Sequence, residues 1–284
     1  MPLITLLAPL LLAQVGPFPG TTGLPEGVRQ DRPGRRAPRI EAQPLVPLLP
    51  QHSRMQNCLD DAAREPALAV DSARAWLAAS PGSSSGEPQL CLGTALIGLA
   101  QWAEAEEVFL AGRDAMAASD LALRARLGGM AGNAALTLGA ADRALGELDA
   151  AHADAVKAGE AELAGSIPLD RGRALVALKR TDEAVSALAE ARTANPSDAT
   201  AWLLSATLSR RLNRLPEAQQ QIETAATLTP EDPEIGLEAG VIAMLSGHEA
   251  ATRKSWASVI VMAPNSPEAR TAQNYFDQLG PAPK

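Results

Sequence analysis

His52, His152 and His248 are the only imidazoles of the 284-residue chain, and Cys58 and Cys91 are its only thiols. A metal site needs such ligands clustered at short spacing. The three histidines lie far apart, and no two share a helical turn. His248-Glu249 opens like a zinc-protease helix, but Thr252, followed by Arg253, stands where the second histidine is required. No metal site and no cofactor is therefore expected. There is no Gly-x-Ser-x-Gly nucleophile elbow and no phosphate-cradling glycine loop carrying a lysine. Carboxylates are numerous, and Glu104, Glu106 and Glu107 read as a solvated helix face rather than as catalytic groups. No constellation in the sequence supports catalysis, and the chain is expected not to be an enzyme.

The elements that carry these residues follow from composition. Hydrophobic residues make up 46% of the chain and aromatics only 3%, so the core must be built from small side chains, alanine above all. Alanine is the strongest helix former, and small side chains let helices approach closely. Residues favouring strands are too scattered for a large sheet. The net charge is −8, and it is concentrated in the body, because residues 1–50 hold more basic than acidic groups. An acidic body excludes a phosphate backbone as the main partner, so no nucleic acid is expected. The basic run through Arg32, Arg35, Arg36 and Arg39 reads as a solvated segment.

Residues 1–13 contain an apolar run too short to span a bilayer and of the length of a signal-peptide core, with a small residue before Gln14. No lysine or arginine precedes it, and an uncleaved anchor is the alternative. Residues 14–52 are rich in proline and glycine, which deny both helix and ladder hydrogen bonding, and are expected to form an extended, unpacked linker. Residues 280–284 are expected to be a short tail.

The strongest signal is periodic. Pro196, Pro230 and Pro264 are each 34 residues apart. Units aligned on them place Gly93, Gly132, Gly172, Ala206 and Gly240 at the eighth position. Ala105, Ala144, Ala184, Ala218 and Thr252 fall at the twentieth. The twenty-fourth holds Phe109, Leu148, Leu188, Ile222 and Trp256, and the twenty-seventh Gly112, Ala151, Ala191, Ala225 and Val259. A glycine inside a helix is unfavourable by roughly 1 kcal/mol relative to alanine, so its recurrence at one column calls for a compensating close contact. Asp232-Pro233 and Ser266-Pro267 mark helix starts. Gly139, Asn213 and Gly247 sit at turns between paired helices, where a left-handed residue is easily accommodated, and Lys179 and Ala100 occupy the other two turns.

This pattern resembles the tetratricopeptide repeat family, closely over residues 86–264 and more faintly over 53–81. The resemblance implies an all-α fold: an α-solenoid of five to six antiparallel helix pairs over residues 53–279, with a degenerate first pair and a C-terminal capping helix. Paired helices are expected at 87–99 with 102–117, 120–138 with 141–157, 164–178 with 181–194, 198–212 with 215–228 and 233–245 with 248–262, and the capping helix at 267–279. In such an array the first helix of each pair lines a concave groove that receives a peptide or partner helix. The groove residues implied here are Arg126, Asn133, Asp170, Arg173, Thr207 and Arg210. Leu90, Gly129, Leu169, Leu203 and Leu237 stand where the family's terminal-carboxylate recognition uses lysine, so that mode is not expected.

Cys58 and Cys91 would lie on neighbouring first helices, which pack side by side in this architecture. In an exported chain they would form a disulfide; the alternative is two small buried hydrophobes. The function implied is a non-catalytic protein–protein interaction scaffold or adaptor in the cell envelope, periplasmic or secreted. It would touch a membrane only if the N-terminal segment stays uncleaved. The competing readings are a membrane-anchored structural or assembly protein and an enzyme acting on envelope glycans.

Overall fold

The computed structural model describes residues 53–80 and 86–280. The expected signal segment 1–13, the linker 14–52 with its basic run and His52, and residues 281–284 of the tail lie outside the described residues. Among the described residues there are thirteen helices and no strand. They pair as α1 (Arg54–Arg64) with α2 (Pro66–Ala79), α3 (Glu87–Gly98) with α4 (Trp102–Ala115), and α5 (Leu121–Thr137) with α6 (Ala141–Ala158). Next come α7 (Ala161–Ala177) with α8 (Thr181–Ala194), α9 (Ala199–Arg211) with α10 (Leu215–Leu228), and α11 (Pro233–Leu245) with α12 (Glu249–Met262). The last helix, α13 (Pro267–Leu279), packs on α11 and α12 and covers the end of the array.

The chain folds this way because its punctuation is local. Ser53, Asp198, Asp232 and Ser266 each accept a hydrogen bond from a backbone N–H of the first turn that follows. Within the five pairs from α3 to α12, the turn residue is left-handed every time: Ala100, Gly139, Lys179, Asn213 and Gly247 all have positive φ. The residue after each one donates back to a carbonyl five positions earlier, as from Gln101 to Leu96 and from His248 to Ala243, closing the helix end.

Two local expectations shift. Helix α7 begins at Ala161 rather than 164, because Gly159 already closes α6 in the left-handed region at φ +74° and α7 starts directly behind it. In the pair expected to be degenerate, Pro66 is the first residue of α2, a place where its missing N–H is harmless. The first pair is therefore regular in structure although its residues stray from the columns.

The glycine column is the crossing point within each pair. A Cβ on Gly132 would fall 2.6 Å from Leu148 Cγ, and one on Gly172 would fall 2.7 Å from Leu188 Cδ2. Gly93 and Gly240 meet Phe109 and Trp256 in the same way and more tightly still. Each eighth-position glycine thus accommodates the large twenty-fourth residue of its own partner helix, and Phe109, Leu148 and Leu188 are buried there.

Most neighbouring first helices touch: α1 with α3, α5 with α7, α9 with α11, α11 with α13, whereas α3 with α5 and α7 with α9 stand further apart. No two second helices pack to a similar degree. A layer whose members are close and a layer whose members are splayed make a curved stack, and the first helices form its inner face.

Candidate protein-binding face

The inner face carries the residues implied by the repeat. On α5, Arg126 is exposed and Asn133 half-buried. On α7, Asp170 accepts from Arg173 at 2.7 Å. On α9, Arg210 grips Glu238 of α11 with two hydrogen bonds of 2.6 and 3.2 Å. The charges of Arg173 and Arg210 are therefore largely neutralised by Asp170 and Glu238. Arg211 is exposed and has no carboxylate partner among the described residues.

Thr207, Arg173 and Arg211 meet at a pocket of about 180 Å³ between α7 and α9. Its floor is apolar, formed by Gly172, Val176, Leu188, Leu204 and Leu208. A second pocket, of about 380 Å³, opens between α11 and α13 over Trp256. Val241, Met244, Tyr275 and Leu279 line it, and Met244 and Tyr275 are 41% and 37% exposed. The Trp256 indole donates to the Leu237 carbonyl at 3.1 Å and lies 5.2 Å from the Tyr275 ring.

At the edge of this face, partial burial holds the Glu234 carboxyl above its ordinary value. Asp232, Glu268 and Glu238 add to that, and Arg173 opposes it. Four of the implied residues, Arg126, Asn133, Asp170 and Arg210, lie outside both pockets, and only Arg173 and Thr207 line one. Val176, Leu204, Leu208 and Glu238 were not singled out from sequence. The signal that could have found them is the repeat register, since Leu204 and Glu238 occupy one column of successive units.

The remaining candidates separate clearly. Cys58 on α1 faces Cys91 on α3 with Cα atoms 6.0 Å apart, inside the span of a disulfide. Both residues are buried. Glu106 is not solvated as expected: it is 6% exposed and accepts two hydrogen bonds from Arg143 of α6, at 2.6 and 3.0 Å. Glu104 pairs with Arg74 of α2 at 2.8 Å, and Arg113 pairs with Glu147. His152 lies 3.2 Å from Glu190. These pairs tie successive second helices to one another. Among the described residues no group of three or more His, Cys, Asp or Glu could hold a metal ion, and no helix is long and apolar enough to cross a membrane.

Comparison with known proteins agrees with this architecture. Residues 169–234, which include the first pocket's walls on α7 and α9, match the tetratricopeptide repeat family model. No curated protein matches the sequence. Among solved structures, PilF of Pseudomonas aeruginosa is similar with a TM-score of 0.64 at 17% identity, over 78% of this chain and 95% of that one. BtubC from P. vanneervenii gives 0.57 at 14% identity, over 82% and 96% of the two chains. YrrB, described as a tetratricopeptide protein with an unusual peptide-binding site, gives 0.53 at 16% identity, over 72% and 99%.

Proposed function

This chain carries tetratricopeptide repeats stacked into a helical solenoid, and from that premise we propose that it is a non-catalytic scaffold holding a peptide or partner helix on its inner face. The observation that carries the reading is the pocket between α7 and α9. It combines an apolar floor with two exposed arginines at its rim, Arg173 and Arg211. Concave sites with an apolar floor and a few placed polar groups are where ligands bind. The peptide-binding site described for YrrB supports the same use of the fold. The apolar segment 1–13 and the facing cysteines support an extracytoplasmic location, periplasmic or secreted.

The test is affinity capture from the envelope fraction of the native host under gentle crosslinking. A stoichiometric protein is expected with the natural chain and not with Thr207→Trp, which fills the pocket. Recovery of the bare chain in both cases would count against the scaffold reading. The mature N-terminal residue decides between release and anchoring. A start at Gln14 fits export, and an intact Met1 fits the anchored alternative.

A further inference from the structure

We infer that the inner face holds two apolar anchor residues of one extended partner segment, the first flanked by acidic side chains. The inference rests on the groove reading and specifies its ligand.

The two pockets are the same pocket repeated. Arg173, Val176, Leu188, Thr207 and Arg211 line the first, and Val241, Met244, Trp256, Tyr275 and Leu279 line the second. Each member of the second set lies 68 residues, or two 34-residue units, after its counterpart. Both pockets therefore sit between consecutive first helices and are floored by the twenty-fourth-position residue of the intervening second helix. The substitutions between them are consistent in sense. Arg173 becomes Val241, Thr207 becomes Tyr275 and Arg211 becomes Leu279, so a pocket with a cationic rim is followed by one with an apolar rim.

Between them lies the corresponding place at the junction of α9 and α11. There Glu238 stands in the column of Leu204, and its ion pair with Arg210 bridges the two helices. A ligand crossing the face would meet a pocket, a polar bridge and a pocket.

The chemistry of the occupant follows. Arg211 has no carboxylate partner among the described residues and is exposed at the rim, so an acidic side chain beside the first anchor gains a charge-assisted hydrogen bond. The Met244, Leu245 and Tyr275 surface, left exposed at the second pocket, takes a large apolar anchor. Packed helices stand about 8–10 Å apart, so two steps of the inner layer span roughly 20 Å. An extended chain advances about 3.3 Å per residue, which puts the anchors about six residues apart. An even spacing also keeps both on one side of an extended strand.

The probes are fluorescein-labelled synthetic peptides with Asp-Ser-Leu-Ser-Asp at one end, which keeps both acids on the anchor's side of the strand, and Phe at the other, separated by Gly-Ser spacers of different length. Anisotropy on the full chain should show tightest binding when about five residues separate Leu from Phe. Arg211→Glu and Met244→Glu should each weaken it about tenfold or more, whereas Glu223→Lys, on α10, should leave it unchanged. Circular dichroism melts should show all three variants folded. Binding that ignores spacer length, or that survives Met244→Glu, would overturn the inference. So would equal binding of a peptide carrying Lys-Ser-Leu-Ser-Lys. The captured envelope partner separates the two levels. Release by Thr207→Trp but not by Met244→Glu leaves the groove reading standing and removes the second anchor. Release by neither removes the groove reading itself.

Discussion

Gly132 and Leu148 occupy one space: the leucine fills the volume that a side chain on residue 132 would need, with Cγ 2.6 Å from an ideal Cβ. The same pairing recurs at Gly172 with Leu188. This crossing sets the angle of each helix pair and hence the stacking that forms the inner face. Gly132→Ala should destabilise the fold despite a better helix propensity. Overpacking is unfavourable by about 1–3 kcal/mol and the propensity gain is about 1 kcal/mol, so a net loss of up to about 2 kcal/mol is expected in denaturant unfolding. Gly146 is the control. It lies on the exposed side of α6, and a Cβ added there would meet nothing within 4 Å. Gly146→Ala should raise stability by about 0.5–1 kcal/mol.

The left-handed turns offer the opposite change. Ala100 and Lys179 have φ of +57° and +60°, a region that is unfavourable by roughly 1–2 kcal/mol for a residue with a Cβ. Glycine relieves that and loses some of the gain through its freer unfolded chain. Ala100→Gly and Lys179→Gly should each stabilise by several tenths of a kcal/mol up to about 1 kcal/mol. Thermal melts that fall instead would contradict the turn geometry.

The repeat, the pairing and the turns at Gly139, Asn213 and Gly247 were legible in the sequence because they depend on local rules, and the repeat register placed the turns at Ala100 and Lys179. Proline at a helix start, a left-handed residue at its end and a small residue at a crossing each leave a mark at one position. The faint first pair was harder, because Pro66 marks the start of α2 without falling in the repeat's columns. The pockets were hidden for a different reason. They depend on how side chains from three helices meet, and that varies with residue size at each junction. Arg210 was implied as a groove residue, but Glu238 reaches it from the next unit. Glu106 looked solvated until the stacking of α6 brought Arg143 over it.

That ion pair carries its own consequence. Glu106 is buried while most of the Arg143 side chain is exposed. Arg143→Ala would leave a buried carboxylate without its partner, which is more damaging than losing an exposed pair. The melting temperature should drop, and adding Glu106→Leu should restore part of it. A double variant no better than Arg143→Ala would show that the carboxylate was not the source of the loss.

Cys58 and Cys91 link the first pair to the second if they are oxidised. Unreduced protein, denatured in the presence of a thiol reagent, should then show no reactive thiol. The bond would close 33 residues of sequence separation, for which chain entropy gives roughly 3.5–4 kcal/mol. Reduction should therefore lower stability by about that amount. Two reactive thiols in unreduced protein would mean two separate buried cysteines.

Site-specific photocrosslinking in the native host separates a partner-binding inner face from an inert one. A photoreactive residue at Thr207, beside the first pocket, should yield one dominant protein adduct, and the same residue at Glu223, exposed on α10, should yield none. Adducts from 223 alone, or none from either position, would contradict a partner held on the inner face.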